Sequence, residues 1–206
     1  MKLEEGIAAL GIALPDATVS KLSAYLALLA KWNKTYNLTA VRNPQEMVTH
    51  HLLDCLAVLP VLRDSALAGR HYHLVDVGSG AGLPGLVLAL ACPEWSVTLI
   101  EAVEKKAAFQ RQVKIELGMV NVEIHGGRVE ECVGRQFSAT ISRAFASLAD
   151  FIGAAGHLSD CLWAMKGVYP ADEVASLPTG WRIEAVHQLR VPGLAAERCL
   201  LRAGRV

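Results

Sequence analysis

Twelve residues, Leu74–Gly85, constrain this chain more than any other stretch. They read LVDVGSGAGLPG: an apolar run that ends in glycine, followed by glycines at 78, 80, 82 and 85 and a second apolar run, GLVLALA. A short apolar run ending in glycine is the mark of a strand buried on both faces. Proline at 84 suits the first turn of a helix. Glycines between a strand and a helix permit a tight turn and let backbone amides approach a ligand, with the helix N-terminus facing it. In doubly wound sheets that crevice, at the carboxyl end of the first strand, is where nucleotides bind. Glu101 stands 23 residues after Gly78 at the end of the next apolar run, WSVTLIE. A carboxylate there is placed to accept both ribose hydroxyls of an adenosine. A tight turn with no ligand is the alternative, and the strand context together with Glu101 weighs against it.

The rest of the chain extends the same rhythm. After the glycine turn come strand 95–101, helix 104–118, strand 121–126, strand 137–143, a helix near 147–158 and strand 160–167. Strands alternating with helices predict a parallel sheet covered on both faces. WRIEAVHQL and ERCLLRAG, joined by the VPGLA turn, alternate like two strands and predict an antiparallel pair closing the sheet. Before residue 71 the pattern is helical. From Thr18 to Leu38, apolar residues fall at Leu22, Tyr25, Leu26, Leu29, Trp32 and Tyr36, the spacing of a helix that buries one face. Pro44 opens a second stripe, Met47, Val48, Leu52, Leu53, Leu56 and Leu59, with Pro60 as its stop. The expected fold is α/β and Rossmann-like, with a mostly parallel seven-stranded sheet. Residues 1–70 form an N-terminal helical cap, and 71–206 one compact nucleotide-binding unit.

Composition narrows the class. With 206 residues, 52% hydrophobic and 19% charged, the chain has enough apolar material for a sizeable core. Twenty basic and 20 acidic residues balance to zero, which excludes a basic coat but not a local basic patch. One such patch is expected at 181–206, where five arginines face two glutamates, a balance of +3. The five cysteines, at 55, 92, 132, 161 and 199, have no metal-ligand spacing and read as small buried hydrophobes in a reducing compartment. MKLEEGIAAL carries acids and too short an apolar run for a signal peptide, and no stretch is long enough to span a membrane. A cytoplasmic protein is expected.

Which nucleotide occupies the turn is a separate question. Gly80-Ala81-Gly82-Leu83-Pro84-Gly85 matches the dinucleotide fingerprint, so an NAD-dependent dehydrogenase is one reading. Against it, Gly78 directly follows the strand, Asp76 lies two residues earlier, and no room remains for a separate substrate domain. DVGSGAG resembles motif I of the class I methyltransferases, whose turn holds the methionine end of S-adenosylmethionine.

The resemblance then becomes specific. WNKTYNLTAVRNPQEMVTHHLLDCLAV (32–58), DVGSGAGLPGLVLAL (76–90), EKKAAFQRQV (104–113), GRVEE (127–131) and ISRAFASL (141–148) are similar to the bacterial small-subunit rRNA guanine-N7 methyltransferase family, also called the glucose-inhibited division protein B family. The resemblance implies a class I methyltransferase fold and an S-adenosylmethionine cofactor. It also implies methylation of one guanine N7 in the decoding-region loop of 16S rRNA, by a cytoplasmic monomer acting on that rRNA or a small-subunit precursor. It carries the family's cofactor contacts onto Gly78, Leu83, Val129, Glu130 and Arg143, joined by Gly80 and Glu101 from the turn itself. Alanine at 81 and Lys105-Lys106 depart mildly from the family's usual proline and Lys-Arg.

Guanine N7 already carries a lone pair, so no catalytic general base is expected, and no Ser/His/Asp or Cys/His constellation is visible. Arg143, at a strand end, is suited to hold a phosphate, to read guanine O6 or to order the cofactor. Lys105, Lys106, Arg111 and Lys166 are candidate RNA contacts, and a solvated helix face is the alternative for the first three. Glu130 by itself reads as an ordinary solvated helix-start acid, and only the resemblance gives it a role at the cofactor. His50, His51 and Asp54 have helical spacing but no further ligand nearby, so capping or packing is expected and no metal site. His71 and His73 read as structural, and Trp32 and Tyr36 as core. A methyltransferase of a non-RNA substrate, and a binding module without turnover, are the remaining alternatives.

Overall fold

The computed structural model describes residues 1–65, 71–143 and 145–206. Five helical elements come first: α1 (Leu3–Ala9), α2 (Asp16–Tyr36), α3 (Pro44–Met47), α4 (Asp54–Leu56) and α5 (Leu59–Ser65), with a π-helical segment, Val48–Leu53, between α3 and α4. Helix α2 ends where Asn37 adopts φ 50°, a left-handed conformation that asparagine tolerates. Asn43 opens α3 by accepting the Gln45 amide at 2.9 Å, with Pro44 in the first turn. Pro60 does not stop the helical run as expected. It sits in the first turn of α5, where its missing N–H would have no partner in any case. The expected unit boundary at residue 70 lies outside the described residues.

The sheet follows, built from β1 (His73–Val77), β2 (Ser96–Glu101), β3 (Val122–Gly126), β4 (Ala139–Ser142), β5 (Cys161–Lys166), β6 (Trp181–Leu189) and β7 (Arg198–Arg205). Their spatial order is β3-β2-β1-β4-β5-β7-β6. The first five strands are parallel, and β7 runs antiparallel between β5 and β6. Helices α6 (Gly85–Ala91), α7 (Glu104–Glu116), α8 (Leu148–Ala155) and α9 (Ala171–Ala175) connect them. The seven strands, their directions and the antiparallel closure agree with the sequence reading. The short helix α9 has no apolar stripe and is not anticipated.

Two apolar layers flank the sheet. Leu74 of β1 joins a cluster with Leu22, Tyr25, Leu29, Leu52, Leu86, Leu88 and Phe109. Its neighbour Val75 points the opposite way, into a cluster with Ile100, Phe151, Leu162 and Leu201, as the two-residue period of a strand requires. Helix α6 is buried at every position, because α2 lies over it while the sheet lies beneath, and its sequence is apolar all round. Each fully buried leucine in these layers contributes roughly 1.5–3 kcal/mol of transfer free energy. The N-terminal helices thus share one core with the sheet. Trp32 packs on Phe109 at 5.6 Å, whereas Tyr36, expected in the core, is 40% exposed and rests on Trp32 at the helix end. Among the described residues, no helix is long and apolar enough to cross a membrane.

Candidate cofactor crevice and neighbouring cavity

The chain leaves β1 toward one side of the sheet, through α6 and β2, and returns to the other side at β4. The strand order therefore reverses at the carboxyl end of β1, the point where open α/β sheets leave a crevice. That crevice is present, about 270 Å³ in volume, and lined by Val77, Gly78, Ile100, Glu101, Ala102, Gly127, Arg128, Val129, Glu130, Phe145 and Ala154.

Its floor is Gly78, the first residue of the glycine turn. Gly78 and Gly80 have φ of 67° and 59°, a region that L side chains rarely adopt. A Cβ at Gly78 would have only the Phe145 ring within 4 Å, at 3.8 Å, and one at Gly80 only the Gly78 carbonyl, at 3.9 Å. Backbone conformation and an open approach, not crowding, require glycine at these two positions. Gly85 differs: a Cβ there would lie 2.8 Å from Asp76 Oδ2, so strand and helix could not pack.

Side chains from distant elements hold the turn. Glu101 Oε2 accepts the Gly80 amide at 2.7 Å, and Oε1 accepts the Val103 amide at 2.8 Å. Gln110 of α7 donates to Ser79 Oγ and to the Gly80 carbonyl, both at 2.8 Å. The Tyr25 hydroxyl of α2 donates to the Ala81 carbonyl at 2.8 Å. Glu101 thus clamps the turn as well as facing the crevice, a role the sequence reading does not contain. Each of its oxygens keeps a lone pair for a ribose hydroxyl.

Beneath the turn lies Asp76, fully buried. Its Oδ2 accepts the Gly85 amide at 2.7 Å, and its Oδ1 has no hydrogen-bond partner among the described residues. Burial pushes this carboxyl up to about 7, against the opposing pull of the Gly85 amide and the Arg143 charge.

Two expected cofactor contacts are placed elsewhere. Leu83 is buried in the apolar cluster under the turn, where its side chain packs with the core and does not line the crevice. Arg143, just after β4, turns away from the crevice into a neighbouring cavity. It donates to the His50 carbonyl at 3.1 Å and to Asp54 Oδ2 at 3.3 Å, because the π-helical segment and the start of α4 bring these acceptors to the strand end. Val129 and Glu130 do line the crevice, on the turn after β3, with Glu130 exposed and paired to Arg128 at 3.5 Å.

That neighbouring cavity, about 390 Å³, is lined by Val41, His50, His51, Asp54, Arg143, Met165, Lys166, Gly167, Leu189, Arg198 and Cys199. Asp54 is almost fully buried and bridges two arginines, with Oδ1 accepting Arg198 Nε at 2.9 Å. Lys166 pairs with Glu173 at 2.9 Å. His51 bonds Thr39 Oγ1 at 2.9 Å, and burial with the Arg143 charge lowers its pKa to about 4, so the ring is neutral near pH 7. The expected capping or packing role therefore describes His51 but not Asp54, which is an ion-pair bridge. Asp54 and Arg198 have no local signal as a pair, since 144 residues separate them.

The remaining candidates are spread along the surface. Lys105 and Lys106 stand in the first turn of α7, and Arg111 on the same helix pairs with Glu104 at 2.6 Å. The expected C-terminal basic patch is largely matched by one acid on β6 and another just before β5. Arg182 and Arg202 meet Glu184, and Arg205 meets Asp160. Three further cations, Lys31, Lys34 and Arg42, line a shallow groove at the end of α2. His71 and His73 bond Ser96 and Thr98, as structural residues would. Among the described residues, no group of three His, Cys, Asp or Glu side chains is placed to hold a metal ion.

The crevice fits an adenosyl group. It presents a floor free of side chain at Gly78, a carboxylate at the end of β2, and the apolar side chains of Val129 and Phe145 for a flat base to rest on.

Comparisons with known proteins bear on the rest. The family model described as "rRNA small subunit methyltransferase G" (GidB) matches residues 18–201. The ribosomal RNA small subunit methyltransferase G of Azoarcus sp. (strain BH72) is 55% identical over 204 residues, covering 97% of this chain and 93% of that protein. Its counterpart from Nitrosospira multiformis is 48% identical over 218 residues, covering 99% and 98%. Among solved structures, TrmN from Thermus thermophilus superposes with a TM-score of 0.58 at 15% identity, over 77% of this chain and 53% of its own. A variant of MtNAS in complex with S-adenosylmethionine gives 0.57 at 17% identity, over 90% and 75%. These two likenesses show the fold, whereas identities near one half over nearly the whole length show descent: this chain belongs to the rRNA small subunit methyltransferase G family.

Proposed function

We propose that this chain methylates N7 of one guanine in the decoding-region loop of 16S rRNA, acting as a cytoplasmic monomer on that rRNA or a small-subunit precursor. As a member of its family it is an S-adenosylmethionine-dependent rRNA methyltransferase. One observation carries the reading of the site. Arg143, just after β4, lines the cationic cavity and Phe145, two residues on, lines the adenosyl-fitting crevice, so the chain that follows β4 borders both spaces.

S-adenosylmethionine supplies a methyl group already activated by its sulfonium. The chain's residues then have to hold and orient. Gly78 and Gly80 leave room for the ligand, Glu101 accepts ribose hydroxyls, and Val129 and Glu130 border the adenine. Because N7 carries a free lone pair, no side chain has to remove a proton, and alignment alone can lower the barrier by roughly 7–11 kcal/mol. N7 of paired RNA lies in a deep, narrow groove, so the target guanine enters unpaired or flipped. Lys105, Lys106, Arg111 and Lys166 are the proposed phosphate-binding residues. Arg111 and Lys166 would first have to exchange their glutamate partners, whereas Lys105 and Lys106, on the first turn of α7, have none to exchange among the described residues.

The test is mass mapping of methylated nucleosides in small ribosomal subunits treated with the protein and S-adenosylmethionine. One new 7-methylguanosine in the decoding-region loop is expected. Methylation elsewhere, or of a non-RNA substrate, would replace this reading. Calorimetry with NAD beside S-adenosylmethionine disposes of the dehydrogenase alternative if only the second binds.

A further inference from the structure

The cavity beside the crevice holds a charge arrangement that cofactor binding does not need. Its centre is Asp54, 4% exposed, whose two oxygens accept Arg143 Nη1 at 3.3 Å and Arg198 Nε at 2.9 Å. The two arginines come from opposite ends of the β4–β7 segment, and neither is itself fully buried. A second anchor fixes Arg143, whose Nη1 also donates to the His50 carbonyl at 3.1 Å. Each guanidinium has five N–H donors in a rigid fork, so donors remain for a ligand after Asp54 is served. Three cations (Arg143, Lys166, Arg198) face two carboxylates (Asp54, Glu173), which leaves the cavity a net +1. His50 and His51, which line the cavity together with Asp54, come from the π-helical segment that directly precedes it. π-helical turns inside helices cluster at functional sites, because the extra residue re-aims side chains.

We propose that Asp54 is a positioning residue that locks Arg143 and Arg198 into a two-guanidinium receptor for the phosphate of the target nucleotide. This rests on the rRNA reading of the site. A bridging carboxylate suits the task because it fixes the angle between two forks that otherwise repel each other, while leaving one net positive charge for the anion. Both guanidinium groups touch the RNA in the ground state and in the transition state alike, so loosening them weakens substrate binding more than turnover.

The experiment compares wild type, Asp54→Asn, Arg198→Gln and the double variant, each as full-length protein with small ribosomal subunits as substrate. Wild-type methylation is read first; if it fails, the function reading falls rather than this one. Asp54→Asn is expected to raise KM for the subunits about tenfold, with kcat and S-adenosylmethionine affinity changed less than about twofold. Arg198→Gln should shift KM in the same sense, and the double variant should fall short of the product of the singles, as coupled residues do. A purely structural Asp54 would instead lower thermal stability and cofactor affinity together, with KM and kcat impaired alike. That pattern, or an unchanged KM in a folded Asp54→Asn, overturns the proposal. Should Asp54→Asn not fold, Arg198→Gln decides alone, and an unchanged KM there also overturns it. The phosphate assignment is read from competition by guanosine 5′-monophosphate against guanosine. Inhibition by the nucleotide that exceeds the nucleoside, and that disappears in Arg198→Gln, supports the receptor; equal inhibition by both sinks the phosphate.

Discussion

The crevice and the cavity lie side by side at the same edge of the sheet, yet they are built from different materials. The crevice rests on main chain: Gly78 lines it in a left-handed conformation, with no side chain to block a ligand, and Gly80 continues the same turn. The cavity is made of long side chains that meet across the fold, Asp54 to Arg198 over 144 residues and Asp54 to Arg143 over 89. A site made of backbone needs a particular residue type at a particular spacing, so it leaves a motif in the sequence. A site made of long-range ion pairs needs only compatible charges in space, and those leave no local pattern. The difference also sets how each fails. A side chain on the crevice floor is expected to abolish binding outright, while loosening the cavity's pairs one at a time is expected to weaken it by degrees.

Substitution should reproduce that contrast. Gly78→Val should have the largest effect, because a β-branched residue at φ 67° strains the turn by roughly 1–3 kcal/mol and fills the approach to the ligand. S-adenosylmethionine binding should fall below detection in calorimetry while the far-ultraviolet dichroism keeps its native form. Undiminished affinity in the folded variant would take the glycine turn out of the site. Glu101→Gln should weaken both S-adenosylmethionine and S-adenosylhomocysteine about tenfold, equivalent to roughly 1.4 kcal/mol. The amide can replace only one of the two oxygens that hold Gly80 and Val103, so part of this loss is loosening of the turn. If one ligand weakened and the other did not, the ribose assignment would be wrong.

The smaller effects probe the surroundings. Lys105→Ala with Lys106→Ala should reduce the salt slope of RNA binding by about one unit or slightly less for each phosphate left without its lysine, with cofactor affinity intact. An unchanged slope would make these lysines a solvated helix face and shift attention to Lys31, Lys34 and Arg42. The smallest effect is expected at Asp76. Its folded-state pKa of about 7 lies above the ordinary carboxyl value, so the folded protein holds this proton after the unfolded chain has released it. Its contribution is fully present below about pH 4 and is lost as pH rises through 7. Asp76→Asn keeps an acceptor for the Gly85 amide and cannot ionise. Melting curves at several pH values should therefore show the variant gaining on wild type as pH rises from about 4 to 7. Curves that stay parallel would mean that Asp76 does not hold its proton.

Most of the fold is legible in the sequence because it rests on local periodicity. Seven strands, the parallel order expected of alternating strands and helices, and the antiparallel closure by VPGLA all follow from patterns a few residues long. Pro60 misleads for a related reason: a proline that ends one helix and one that begins the next look identical until the neighbouring backbone is known. The C-terminal arginines suggest a patch because sequence counts charge but not pairing, and Glu184 and Asp160 meet them only once β5, β6 and β7 come together.

The candidate site divides in the same way. The glycine turn and Glu101 are set by spacing around a strand, Val129 and Glu130 come from the family resemblance, and Gly78, Glu101, Val129 and Glu130 all line one crevice. Arg143 stands at a strand end, as its position in the chain requires, but which of two spaces its side chain enters depends on acceptors carried in from the N-terminal helices. By itself the sequence determined the strand–turn–helix unit and its family, because backbone conformation and apolar periodicity are local properties of the chain. Only the tertiary structure decided that Tyr25, Gln110 and Glu101 hold the turn and that Asp54 joins two arginines, because a hydrogen bond or ion pair depends on distance in space and is indifferent to distance along the sequence.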